Sequence, residues 1–357
     1  MTSHVPKTPN GLQGELQRIA EEARTLLRVT TTKAAIAQTP KETIWTFNKA
    51  KLYRYIPVVP TQHRLPLFLV FALMSRPYIL DLRPGASFIE YMVKHGYDVY
   101  LLDWGAPGPE DKDLKFDDYV LTYLVRALRK IKAVSGSDEF SMLGWCIGAI
   151  ASTIYAALRP DDGLRNLVLL TAPLDFTDKQ AGGFVGWINE SFDADKIADA
   201  LGIIPGELLD YGSKALKPVE NYIGAYLNLW DNLDNPKVVE SWHAMQTWLN
   251  DLIPMTGGLF RQIIKDLYQQ NRLINNELLI RGERVDLSRI RANLLDVIAL
   301  ADHISPPCQS ESIMEKVSSS DKLMLKIKGG HIGMMAGSSA VKHTWPQIDE
   351  WLAKRSE

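Results

Sequence analysis

Asp138-Glu139-Phe140-Ser141-Met142-Leu143-Gly144-Trp145-Cys146-Ile147-Gly148-Ala149-Ile150 reads as a short apolar strand, a Gly-x-Cys-x-Gly turn and the opening of a helix that continues through Ala151-Ser152-Thr153. That succession is a nucleophile elbow with sulfur in place of the usual hydroxyl. The spacing has a steric reason. A nucleophile lifted onto a sharp strand-to-helix turn needs a strained backbone, and Gly144 and Gly148 omit the Cβ atoms that would collide where strand and helix approach. Cys146 then sits at a helix N-terminus, where the macrodipole and unpaired N–H groups favour a thiolate. The pentapeptide alone also arises by chance, and a buried cysteine is more often an inert small hydrophobe. The reading therefore depends on what surrounds it.

Around the elbow lie other short apolar runs, each closed by turn residues and separated by helical periodicity: 66–73, 98–102, 139–143, 167–170, 294–300 and 322–327. Continuous rather than alternating runs indicate strands covered on both faces, as in a mostly parallel sheet between helices, so the fold class is α/β. Two of the later runs end in loops that carry chemistry. The run 294–300 leads into Ala301-Asp302-His303-Ile304-Ser305-Pro306-Pro307, and 322–327 into Lys328-Gly329-Gly330-His331-Ile332-Gly333. In the α/β-hydrolase fold the nucleophile, the acid and the base follow one another in this order, the last two on loops just past later strands. Cys146, Asp302 and His331 are the candidate triad. His303, directly beside the acid, cannot easily face it across a hydrogen bond and is assigned with Trp145 to the edge of the site. Cys308 follows two prolines with no elbow and reads as an idle thiol. An oxyanion hole is expected from the backbone N–H groups of Ile147 and of Met74, in the loop spanning Leu73 to Ser75.

Between residues 176 and 284 the strand rhythm stops and the chain becomes helical, with Trp187, Tyr222, Tyr226, Trp230, Trp242 and Trp248. An inserted helical cap accounts for this, its aromatics read first as its own small core. The expected division is an N-terminal helical segment over 1–50, a catalytic core over 51–175 and 285–357, and a cap over 176–284. Within the first segment, Leu16, Ile19, Ala20, Ala23, Leu26 and Leu27 recur at helical spacing over 14–29. Packing on its own domain is the plain reading of that helix, and partner docking the sharper one.

The 357 residues carry 40 Lys and Arg against 42 Asp and Glu, so no basic excess points to nucleic acid. Two cysteines in so long a chain argue against a disulfide scaffold, and no clustered Cys/His set suggests a metal. No cofactor is called for. The polar residues after Met1 lack the apolar core of a signal peptide. The most apolar stretch, from Leu65 to Met74, is far shorter than the roughly twenty residues of a membrane helix. A cytoplasmic protein without a transmembrane segment is expected.

Why sulfur? Against an acyl-CoA, a thiolate exchanges one thioester for another at little free-energy change, and the bound acyl group stays activated for transfer to a weak second acceptor. An apolar cap suits that task because water would otherwise hydrolyse the intermediate.

Further motifs run in register from about Pro40 onward. They are Ile44-Trp45-Thr46, Lys51-Leu52-Tyr53-Arg54-Tyr55, Arg76-Pro77-Tyr78-Ile79-Leu80-Asp81-Leu82, Asp103-Trp104-Gly105 and Lys115-Phe116-Asp117-Asp118-Tyr119. Trp248-Leu249-Asn250-Asp251, Tyr268-Gln269-Gln270-Asn271, Arg281-Gly282, Val285-Asp286-Leu287, Asp302-His303-Ile304 and Gly330-His331-Ile332-Gly333 follow. With these the chain resembles the catalytic subunit of polyhydroxyalkanoate synthases, which polymerise (R)-3-hydroxyacyl-CoA into bacterial storage polyester. The resemblance puts the catalytic cysteine, aspartate and histidine on Cys146, Asp302 and His331. It implies a two-subunit enzyme, closest to the Bacillus type with its small helical partner and next to the Allochromatium type. It further implies 3-hydroxybutyryl-CoA as substrate, a homodimer or hetero-oligomer, and a place at the surface of polyester granules.

Trp145, Ala149 and Ser75 depart from the Tyr, Gly and Asn common in that family. Asp302 has two possible roles, orienting the imidazolium of His331 or helping to deprotonate the 3-hydroxyl of the incoming monomer, and the second is the expectation. A cysteine-dependent hydrolase, such as a thioesterase or lactone hydrolase, shares every triad feature. A non-enzymatic granule protein is the remaining reading, and an intact triad argues against it.

Overall fold

The computed structural model describes residues 9–32, 34–60, 63–218 and 223–356. Its main sheet is built from β1 (Lys41–Phe47), β2 (Ala50–Tyr55), β3 (Leu67–Val70), β4 (Val99–Asp103), β5 (Phe140–Trp145), β6 (Leu164–Leu170), β7 (Asn293–Ala299) and β8 (Lys322–Ile327). The spatial order is β1-β2-β4-β3-β5-β6-β7-β8. Every pair from β4 to β8 is parallel, while β1 and β2 form an antiparallel hairpin added to β4. All residues of β3 and β5 are buried, the consequence of helices on both faces of a parallel sheet.

The longer α-helices, in chain order, are α1 (Pro9–Thr31), α2 (Phe88–Lys94), α3 (Val125–Ser135), α4 (Ile147–Leu158), α5 (Ala194–Leu201), α6 (Gly206–Ala215), α7 (Ala225–Trp230), α8 (Pro236–Asn250), α9 (Gly257–Gln262) and α10 (Trp345–Ala353). Every residue of α4 is buried, which its run of Gly, Ala, Ser and Thr permits by letting the helix lie close to β5. Helices α5 to α9 occupy the chain between β6 and β7, with side-chain caps at several starts. Asp193 accepts from the Lys196 amide, Asn235 from that of Lys237 ahead of Pro236, and Thr256 from that of Leu259.

Three sequence expectations need correction. Residues 41–50 fall within the expected helical segment, yet α1 ends at Thr31 and β1 and the start of β2 occupy them. Residues 1–8 and 33 of that segment lie outside the described residues. The strand was missed because β1 is an edge strand of half-exposed β-branched and aromatic residues rather than a continuous apolar run. Its hairpin closes through Asn48, whose φ of 51° is one that asparagine tolerates. Secondly, the run 66–73 yields a strand only to Val70, and Phe71 to Leu73 leave the sheet as a buried loop. Thirdly, the aromatics between β6 and β7 do not all form a core. Trp187, Tyr226 and Trp230 are 49%, 54% and 60% exposed, Trp248 is buried, and Tyr222 lies outside the described residues. Helix α1 divides likewise: Val29, with Leu26, packs on Leu229, Leu233, Val239 and Trp242, while Leu16 and Ile19 stay exposed.

Candidate active site

Cys146 sits between β5 and α4 with φ 56° and ψ −121°, a conformation that costs a non-glycine residue energy. The turn is tied down on both sides. The Cys146 N–H donates to the Leu170 carbonyl at 3.0 Å, and the Cys146 carbonyl accepts from the Ala149 and Ile150 amides at 2.9 and 3.2 Å. Both glycines are sterically required. A Cβ on Gly148 would stand 2.2 Å from the Val70 carbonyl oxygen, and one on Gly144 would stand 2.7 Å from the Ala149 Cα.

The other two candidates arrive from neighbouring strands. Asp302 follows β7 and His331 follows β8, on a loop where Gly329 takes a φ of 144°. His331 Nδ1 lies 2.6 Å from Asp302 Oδ2. The second carboxylate oxygen, Oδ1, accepts the Ile304 and Ser305 amides at 2.8 and 2.9 Å, and the Asp302 side chain has no solvent exposure. With Nδ1 held by the carboxylate, Nε2 is the ring nitrogen left for the sulfur. Burial works against a charge on His331, but Cys146 and then Asp302 beside it outweigh that, and its pKa is pushed up to about 10.

Cys146 and His331 line a mainly apolar cavity of about 130 Å³ that they share with Trp145, Phe71, Leu209 of α6 and Trp248 of α8. Trp145 belongs to the wall, its ring 5.1 Å from that of Phe71 and 6.4 Å from that of His331. Met74 also lines the cavity, and Ile147 opens α4, so its N–H has no intrahelical acceptor. His303 does not line the cavity, although its neighbour Ile304 does. Cys308 is half-buried at the start of a short helical turn, and burial pushes its thiol pKa up.

Two residues near the centre had no assigned role from sequence. Tyr268 packs on Phe176, 4.3 Å between ring centres, and burial together with Cys146 and Asp302 raises its phenol pKa. Asp251 lines the cavity and binds the loop after β3. Both lie in quoted motifs, but nothing in a motif says which member faces the nucleophile. Among the described residues no group of three His, Cys, Asp or Glu is arranged to hold a metal, and no helix is long and apolar enough to cross a membrane.

The model of the alpha/beta hydrolase fold matches residues 80–338, and that of the poly-beta-hydroxybutyrate polymerase (PhaC) N-terminus matches 13–92. The poly(3-hydroxyalkanoate) polymerase subunit PhaC of Allochromatium vinosum is 37% identical over 318 residues, covering 88% of this chain and 89% of that one. The subunit of the same name from Haloferax mediterranei is 38% identical over 92% of this chain, which spans 66% of that longer protein. Among solved structures, a soluble variant of Saccharomyces cerevisiae monoglyceride lipase superposes with a TM-score of 0.58 at 16% identity, over 92% of this chain and 97% of that one. Paleococcus ferrophilus monoacylglycerol lipase gives 0.56 at 19% identity, over 85% and 99%. The lipases share the fold, and the sequence relatives share far more of the residues set upon it: the chain belongs to the poly(3-hydroxyalkanoate) polymerase subunit PhaC family, acyltransferases built on the α/β-hydrolase fold.

Proposed function

We propose that the chain polymerises (R)-3-hydroxyacyl-CoA, with 3-hydroxybutyryl-CoA the expected monomer, carrying the growing polyester on Cys146 and releasing CoA. The carrying observation is a cysteine on a strained elbow, facing a carboxylate-bound imidazole in an apolar cavity. His331 Nε2 takes the Cys146 proton, and the sulfur attacks the thioester carbonyl. The amides of Ile147 and Met74 are the proposed donors to the oxyanion. Collapse expels the CoA sulfur, which leaves with the proton from His331. The 3-hydroxyl of the next monomer then gives its proton to His331 and attacks the acyl group on Cys146, whose C–S bond breaks and frees the sulfur as a thiolate. The lengthened chain, now on the second CoA, returns to the sulfur and releases that CoA.

Asp302 orients His331 in this scheme. This role is preferred to the expected one on the monomer hydroxyl because both of its oxygens accept hydrogen bonds within its own loop and from His331, and its side chain is fully buried. A second subunit and an oligomeric enzyme remain part of the proposal, supported by the word subunit in the relatives' names, and a small helical form of that subunit and a cytoplasmic granule surface are proposed from the family resemblance alone.

The test is CoA release and protein acylation with 3-hydroxybutyryl-CoA, in the presence and absence of a candidate small subunit. Cys146→Ala is expected to abolish both, and Cys308→Ser to leave both. Acyl labelling of Cys146→Ala at the wild-type level would refute the assignment. Free 3-hydroxybutyrate in place of polymer would mark a hydrolase instead.

A further inference from the structure

The loop after β3 and the end of α8 are tied together beside the cavity. Asp251, the residue that ends α8, accepts the Arg76 Nε–H at Oδ1 (3.0 Å) and the Tyr78 hydroxyl at Oδ2 (3.1 Å). One helical turn earlier, Trp248 donates its indole N–H to the Arg76 carbonyl at 2.7 Å. Met74, Ser75, Trp248 and Asp251 all line the cavity. The ladder of β3 has already ended at Val70. The stretch from Met74 to Arg76, where a second oxyanion donor is expected, is therefore held by α8 rather than by its own strand.

Two magnitudes bear on what this tie does. The cavity of about 130 Å³ is smaller than the roughly 300–1,000 Å³ of pockets that enclose drug-sized ligands, and a CoA thioester is larger still. Admission of more than the acyl end of the substrate thus requires part of the wall to move. The Arg76 and Asp251 side chains are 28% and 40% exposed, and ion pairs open to water are weak enough to break and re-form. Tyr78 stays a donor throughout, because burial and the adjacent Asp251 raise its phenol pKa.

We propose that Asp251 is a positioning residue that couples the docking of α8 to the geometry of the oxyanion loop, so that the acyl-transfer site is complete only while α8 is seated. This rests on the polymerase reading above. Binding of the acyl-CoA opens the tie, and its re-formation around the acyl group aligns the loop and excludes water.

The test uses a Cys308→Ser background, in which Cys146 is the single thiol. Alkylation of Cys146 is timed with iodoacetamide and with a pyrene maleimide, and kcat and KM are measured with 3-hydroxybutyryl-CoA. Asp251→Ala is expected to raise the ratio of bulky to small alkylation rates about tenfold and to lower kcat by about tenfold to a hundredfold, with KM little changed. Asp251→Asn, which keeps one acceptor oxygen but turns the other into a donor and loses the charge, should fall between Asp251→Ala and wild type. Tyr78→Phe deletes one bond of the tie and carries the test should Asp251→Ala fail to fold. An unchanged alkylation ratio in the folded variants, or a raised ratio with kcat intact, overturns the proposal. Alkylation needs no substrate, so a wild-type chain that releases no CoA either alone or with a small subunit would refute the polymerase reading separately.

Discussion

Burial alone would push the His331 pKa down, and Cys146 and Asp302 beside it push it up instead. The work of Asp302 is legible in how its oxygens are divided. Oδ1 is fixed by two backbone amides of its own loop and Oδ2 by His331, so the carboxylate aims the ring, and its side chain is fully buried. Asp302→Asn keeps the shape but loses the charge, and an amide NH₂ turned toward the ring offers a donor where an acceptor is needed. First-turnover acylation, followed by rapid quench with labelled 3-hydroxybutyryl-CoA, is expected to fall about a hundredfold in Asp302→Asn, with a loss of the same order in His331→Gln. Acylation of Asp302→Asn at the wild-type rate, with stalling at a short oligomer, would restore the elongation role. The identity of these three residues was readable because each sits just past an apolar run in the order that the fold demands. The division of the Asp302 oxygens was not, since it depends on where the 304–305 backbone folds back.

At the scale of elements, the elbow is where local sequence and tertiary contact agree most closely. Gly148 faces not its own strand but the neighbouring one, and a methyl there would meet a backbone oxygen that no side-chain rotation can move away. Gly148→Ala is expected to cost on the order of 3 kcal/mol or more in urea unfolding. Gly14→Ala in α1, with nothing within 4 Å, should instead stabilise that helix by at most about 1 kcal/mol, read as slower amide exchange. Wild-type stability in Gly148→Ala would mean that strand and helix are further apart than the elbow requires. Elements buried on both faces were legible as apolar runs. The β1–β2 hairpin was not, because β1, at the sheet edge, is only part-buried and carries Lys41 and Glu42 in place of a continuous apolar run, and β2 carries Lys51. The end of β3 at Val70 was hidden for a related reason: Phe71 to Leu73 are as apolar as the strand before them but serve the loop over the site.

For the molecule as a whole, one continuous core joins the sheet to the helical segment between β6 and β7. Trp248, Leu259 and Tyr268 belong to the same buried cluster as Phe68, Leu143 and Val297. Change of rhythm along the chain marked where that segment begins and ends, but its fusion with the sheet is a three-dimensional fact that periodicity does not carry. The same core encloses a carboxyl group that sequence patterning passes over, Asp296 in the middle of β7. It has no solvent exposure, Oδ1 accepts the Ser310 hydroxyl at 2.6 Å, and Oδ2 has no hydrogen-bond partner. Burial, and to a lesser degree the charge of Glu311, outweigh the Ser310 bond and raise its pKa to about 7. An unfolded aspartate ionises near 3.9. Between about pH 4 and pH 7 the native chain therefore binds a proton that the unfolded chain has released, so this group's contribution to stability falls as pH rises through that window and levels off above it. The loss at neutral pH is on the order of a few kcal/mol. Asp296→Asn keeps an acceptor for Ser310 and cannot ionise. Urea unfolding from pH 4 to 8 should show the variant gaining on the wild-type chain as pH rises, and standing above it by a few kcal/mol at pH 7.5. Parallel stability curves for the two chains would mean that Asp296 is charged in the native protein and solvated by water within the core.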